Sequence, residues 1–332
     1  MTQHPALFRF DTFPAAALRA VSGANEGDAI GTGDAAVPGD VYRLARGAAA
    51  ARLAIADDPA AGPCVADGSR VGLPGTPIVI EGCAMFMGPD GRPVEVLLLD
   101  LGGREDAAAR LVLPLARLRE DADYELLACD ADGGPDRLAD VASVSFIAGT
   151  RLSMADGRQV PVEELKAGDT LLTRLHGPRA IRWIGRQTYR ATGAAAPVRI
   201  AAGTLNAARD LRLSPQHRLF IWQREDATGA GRAEVLVRAG LLVNGTTVTR
   251  EEGGHVDSYQ LLFEGHEVVF AEGIAVEGML VTGPALGRLP EGIDPAALRE
   301  DQRGAAELEI DAERLGPDAA ERLSRASRGE PG

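Results

Sequence analysis

From Val41 to about Pro284 the apolar runs are short, and a turn signal breaks them every few residues. "VGLPGTPIVIEGCAMFMGPDGRPVEVLLLDLGG" (71–103) shows the pattern: an apolar run, a "GPDG" turn, a second apolar run. That is a hairpin signature. "ARLVLPLARL" and "DYELLACDADG" add strands. Further turns recur at "ADG" (155–157), "AGD" (167–169), "NG" (244–245) and "EEGG" (251–254). Such punctuation leaves little room for long helices, so the chain is expected to be mainly β. "VNGT" also reads as a glycosylation sequon, but a type I′ hairpin turn is the better account of Asn244-Gly245.

Four segments follow. Residues 1–40 are expected to be a flexible N-terminal segment, with weak helical character over the first twenty and a Gly/Ala/Asp-rich loop after them. Residues 41–142 read as a small β domain of unknown role, and 143–286 as a second β domain. In 287–332 the composition turns charged and Ala-rich; "DPAALRED" and "PDAAERLSR" look like capped helices with few large apolar groups. That tail is expected to be marginally helical or disordered.

At 332 residues the chain is long enough for two domains, each with its own core. A formal charge of −13 argues against nucleic acid as a partner and against attraction to anionic membranes. No apolar run approaches the roughly 18 residues that span a bilayer. The N-terminus lacks a charged region followed by an unbroken apolar core, so it is not a Sec signal; a cytoplasmic location and export by another route both stay open. The three cysteines, Cys64, Cys83 and Cys129, have no zinc-site spacing and read as free thiols, although Cys64 and Cys83 would be free to pair in an exported chain. "DADGGPD" (130–136) lacks the third oxygen ligand of a calcium loop and reads as a solvated turn. No metal and no cofactor is expected.

The chemistry-bearing candidates lie in the second half. Ser145 sits in "VASVSFIAGT", just before a Gly-Thr step. Ser214 and His217 lie three apart in "LRLSPQHRLFIW", where Pro215 bends the strand and lets hydroxyl and imidazole converge. His266 precedes an apolar run in "LLFEGHEVVFAEG", whereas His176, His255 and His4 read as turn or terminal residues. There is no H-E-x-x-H or G-x-S-x-G motif, and no acid partner at a spacing that would support an ordinary serine hydrolase.

Taken together, these pieces resemble the Hint (Hedgehog/intein) self-processing domain, most closely its bacterial branch. "VSFIAGTRLSMADGRQVPVEELKAGDTLLTR" resembles its opening block, and "HGPRAIRWIG" a segment common in that branch. "LSPQHRLF" resembles the hydroxyl-histidine motif, and "GHEVVFAEG" the closing motif. The motifs occur in family order over roughly 144–284. The resemblance implies an all-β Hint fold and assigns Ser145 as nucleophile toward the Val144 carbonyl. It makes Ser214 and His217 the pair that activates the scissile amide, and His266 the histidine of the last motif. Asp169 is expected to hold a turn.

Two departures shape the expected activity. Serine stands where the family more often has cysteine, and a hydroxyl depends more on its activating groups than a thiolate does. No Asn follows His266 in "EVVFAEGIAVEGMLVTG", which removes Asn cyclisation and with it full splicing. What remains is an N-to-O acyl shift at Val144–Ser145 and then ester hydrolysis, a single-turnover reaction whose substrate is the chain's own N-terminal region. The alternative is an inert Hint-like scaffold whose N-terminal β domain binds a protein or surface partner.

Overall fold

The structure is a computed structural model. It describes residues 8–32, 35–58, 62–102, 109–224, 226, 228–278, 309–310, 315 and 318–328. It is mainly β and divides into two compact units: the described residues up to Asp140, and those from Val141 onward.

The first unit is a nine-stranded sheet. Its strands are β1 (Phe8–Pro14), β2 (Leu18–Ser22), β3 (Val41–Leu44), β4 (Ala51–Asp58), β5 (Gly62–Val65), β6 (Ile78–Met87), β7 (Pro93–Leu101), β8 (Arg110–Pro114) and β9 (Asp123–Asp130). They pair in the order β2-β3-β9-β6-β7-β8-β1-β4-β5. The "GPDG" turn joins β6 to β7, with Gly91 N–H donating to the Gly88 carbonyl (3.0 Å). Inward-facing residues of neighbouring strands meet in an apolar core around Tyr42, Phe86, Val96, Val112 and Leu126. Tyr42 and Phe86 pack edge to face at 5.6 Å.

The described residues of 1–40 are not a flexible lead. Residues 8–14 and 18–22 are strands; β1 pairs with both β4 and β8, and β2 edges the sheet beside β3. Long-range pairing decides this, not local pattern. A second difference lies at 134–142, where Asp130 accepts the N–H groups of Asp132 (3.0 Å) and Gly133 (2.9 Å). That turn opens into helix α1 (Gly134–Ala142), whose second residue is a proline, well tolerated in a first turn.

The second unit has two sheets. One orders β15-β21-β10-β17-β16-β20, from β10 (Phe146–Ile147), β15 (Trp183–Arg190), β16 (Val198–Ile200), β17 (Leu211–Leu213), β20 (Val248–Arg250) and β21 (His255–Leu262). The other orders β12-β11-β22-β23-β18-β19, from β11 (Arg151–Ser153), β12 (Gln159–Pro161), β18 (Arg218–Trp222), β19 (Glu234–Arg238), β22 (Val268–Ala271) and β23 (Ile274–Glu277). The hairpin of β13 (Thr170–Thr173) and β14 (Gly177–Ala180) joins it through β22.

Turn chemistry closes the unit locally. "ADG" links β11 to β12. Asp169 accepts the Lys166 N–H at 2.8 Å and holds the "KAGD" turn. Glu272 and Gly273 both have positive φ, 48° and 87°, and make the two-residue connection between β22 and β23. Asn244-Gly245 is different. It follows a short 3₁₀ turn, and the Asn244 side chain accepts the N–H groups of Thr246 and Val248 (3.0 and 2.9 Å). The expected hairpin is absent because β19 and β20 belong to different sheets.

In the tail, the helix expected at "PDAAERLSR" is present among the described residues, and it is docked. Helix α2 (Ala319–Arg328) buries Ala319, Ala320 and Leu323 in the second unit's main core, together with Ile310 and Leu315. Ser324 Oγ accepts the Leu205 N–H at 3.1 Å, and Ile310 N–H donates to Leu236 at the edge of β19 (2.9 Å). Few apolar residues suffice because the core beneath them is already built. No helix among the described residues is long and apolar enough to cross a membrane.

Candidate functional site

The site grows out of strand register. Phe146 pairs with Leu213, so Ser145 stands opposite Ser214 across β10 and β17. "SPQH" (214–217) is a tight turn with Pro at its second position, closed by His217 N–H donating to the Ser214 carbonyl (3.0 Å). That turn engages the Ser214 carbonyl. The Ser214 hydroxyl takes over and accepts the Ser145 N–H at 2.9 Å, while Ser214 N–H donates to the Ser145 carbonyl (3.0 Å). The same turn swings the His217 ring over the peptide, with Nδ1 3.1 Å from the Ser145 carbonyl oxygen. The edge-on contact of the Phe146 ring, 4.6 Å away, fixes the ring's plane.

This cluster is sealed. Ser145 and His217 are fully buried, Ser214 is 1% and Val144 2% exposed. Among the described residues, Ser145 Oγ has no hydrogen-bond partner. The opposite edge of the imidazole, Nε2, lies 2.7 Å from the Glu277 carbonyl oxygen. Both ring nitrogens therefore face acceptors, whereas a neutral imidazole carries one N–H. The contact to Glu277 is the shorter, and only the doubly protonated ring donates to both carbonyls at once. Burial pushes the His217 pKa below the ordinary histidine value, and its hydrogen bonds to the Ser145 and Glu277 carbonyls oppose that shift.

His266 is placed differently from the other three. It sits in the loop before β22, and its Nε2 lies 2.6 Å from Glu277 Oε1. Its link to the Val144–Ser145 peptide runs through Glu277. Arg218 stands opposite Glu277 because Leu219 pairs with Val276, and the two form a buried, two-pronged ion pair. Glu309 bridges Arg218 (3.2 Å) and Arg238 (2.5 Å). Burial by itself would raise the Glu277 pKa; the Arg218 charge and the bond from His266 overcome it and hold the carboxyl at about 2. Sequence reasoning missed Glu277, Arg218 and Glu309. One signal was present: a lone carboxylate in the apolar run "GIAVEGMLV", since a charge inside a buried strand needs a partner. His176, read as a loop residue, is half-exposed and pairs with Glu267 at 3.0 Å. Among the described residues, no three His, Cys, Asp or Glu side chains group in a way that could hold a metal ion.

Fold and site together define an all-β module whose polar centre is wrapped around one of its own backbone peptides. Residues 144–283 match the family model of the Hint domain, and the chain is a Hint domain-containing protein. A comparison with curated proteins found no match.

Proposed function

We propose that the Hint domain cleaves its own chain at Val144–Ser145, releasing residues 1–144. Ser145 Oγ attacks the Val144 carbonyl carbon. As the C–N bond breaks, a proton from the His217 imidazolium goes to the departing Ser145 nitrogen, and the hydroxyl proton lost from Oγ restores the histidine. The product is an ester between Val144 and Ser145 with a free amine. Water then cleaves it to the Val144 carboxylate and the Ser145 hydroxyl. Ser214 orients the amide nitrogen. His266 belongs to the same site through the Glu277 carboxylate.

One observation carries this reading. The amide nitrogen of the Val144–Ser145 bond is held by the Ser214 hydroxyl, and the His217 ring lies against the next carbonyl of the same stretch. A different observation favours the inert scaffold: Ser145 is fully buried, and its Oγ has no hydrogen-bond partner among the described residues. Intact mass after expression separates the two, with hydroxylamine added to trap an ester. Cleavage gives pieces 1–144 and 145–332 in the parent chain, and none in Ser145→Ala. A parent chain that stays full length in all conditions leaves the scaffold reading standing.

A further inference from the structure

Glu277 is a buried carboxylate to which the mechanism above gives no step. We infer that Glu277 is the positioning residue for His217, and that His266 influences the site only through it; this rests on the autoprocessing reading. Its carbonyl takes the His217 Nε2 proton (2.7 Å) and sets the ring's direction. Its carboxylate is held at both oxygens by Arg218 and shared at Oε1 between Arg218 Nη2 (2.7 Å) and His266 Nε2 (2.6 Å), while the pairing of β23 with β18 and β22 fixes the backbone that carries the carbonyl. With Nε2 tied down, the second proton that makes the ring an acid must enter at Nδ1, on the side of the Ser145 backbone.

The electrostatics point the same way. The charged groups around His217 are Glu277 from β23 and Arg218 from β18; beyond them stand His266 before β22, Glu309 from the C-terminal segment and Arg238 from β19. The Glu277 anion favours the imidazolium, the Arg218 cation disfavours it, and Glu309 offsets the guanidinium charge. Neutralising Glu277 leaves the Arg218 cation facing the ring with only Glu309 against it.

The test has two arms. In a Ser145→Ala chain, which cannot process, labelled-histidine NMR follows the five histidines, with His217→Gln assigning the signal. Adding Glu277→Gln should lower the His217 pKa by about one unit, and Glu277→Asp should restore most of it. In the Ser145 chain, Glu277→Gln should move the pH–rate profile of cleavage to lower pH by the same amount and slow it about tenfold near neutrality. His266→Gln keeps the buried anion, so it also serves if Glu277→Gln fails to fold. With the anion kept, it should leave the profile in place or move it slightly to higher pH and leave cleavage measurable; loss as complete as in His217→Gln would place His266 at the scissile peptide instead. An unmoved His217 titration in folded Glu277→Gln overturns the inference; if that variant does not fold, a His217 pKa that falls in folded His266→Gln, where the anion is kept, overturns it instead. If the parent chain never cleaves, the autoprocessing reading fails, and the NMR arm still decides the role of Glu277.

Discussion

The two β units bury different things. The core of the first is apolar around Tyr42, Phe86 and Leu126, and its buried charged side chains among the described residues are Asp40, Asp100 and Arg137. Arg137 pairs with Glu95, and Asp40 accepts the N–H groups of Ala24 and Asn25 (2.6 and 3.2 Å). The second unit buries Ser145, Ser214, His217, Arg218, Arg238 and Glu277 as one connected set, centred where "SPQH" meets β10 and β23. Replacing such an ionic set by apolar residues of similar volume is often neutral or stabilising, so stability gives it no reason to exist. The difference is what the proposed function draws on: in the second unit the desolvated charge is gathered around one peptide bond.

The largest test of that contrast is Arg218→Met. It strips Glu277 of its guanidinium, leaves Glu309 with Arg238 alone and should cost about 3–5 kcal/mol. Both tryptophans, Trp183 and Trp222, lie in the second unit, so urea unfolding followed by tryptophan fluorescence reads that unit. Arg46→Ala breaks the exposed Arg46–Asp121 pair of the first unit and should leave unfolding by far-UV circular dichroism unchanged. Equal losses for the two variants would erase the contrast.

Next comes acid. The folded-state pKa of Glu277 is depressed to about 2 from an ordinary 4.5, so its contribution is fully present above 4.5 and is lost as pH falls toward 2. His217 is also depressed, so its unfolded form takes up a proton first and stability already begins to fall below the ordinary histidine pKa of 6.5. Tryptophan-detected unfolding should therefore weaken in two stages on acidification. His217→Gln should remove the upper stage and leave the lower one.

The smallest and sharpest comparison is between the two serines. Ser214→Ala leaves the buried Ser145 N–H without an acceptor and should cost about 1–3 kcal/mol. Ser145→Ala removes a hydroxyl without a partner among the described residues, and its unfolding midpoint should be unchanged or higher. On the autoprocessing reading both variants stop cleavage, so stability and activity separate cleanly at these two positions.

Much of this could be read along the chain. The β6–β7 hairpin, the Asp169 turn and the bend at Pro215 are local devices, each written in four or five residues. What could not be read depends on partners far away. Residues 8–14 become a strand only because 51–55 and 111–112 lie beside them. "PDAAERLSR" announced helix α2 but not its docking: Leu323 is buried because the rest of the core supplies its neighbours. His266 carried a motif but no address; its position beside Glu277 depends on how β22 and β23 turn back on each other.

By itself, then, the sequence determined the β character of the chain, the turns that punctuate it and the short "SPQH" geometry, because backbone dihedrals and neighbouring side chains act within a few residues. Tertiary structure alone decided that Ser145 faces Ser214, that Arg218 faces Glu277, and that Glu309 reaches back to complete the charge set. Those are pairings across 69, 59 and 91 residues. Strand register, not local preference, brings them together, and burial then makes each charge dependent on its partner.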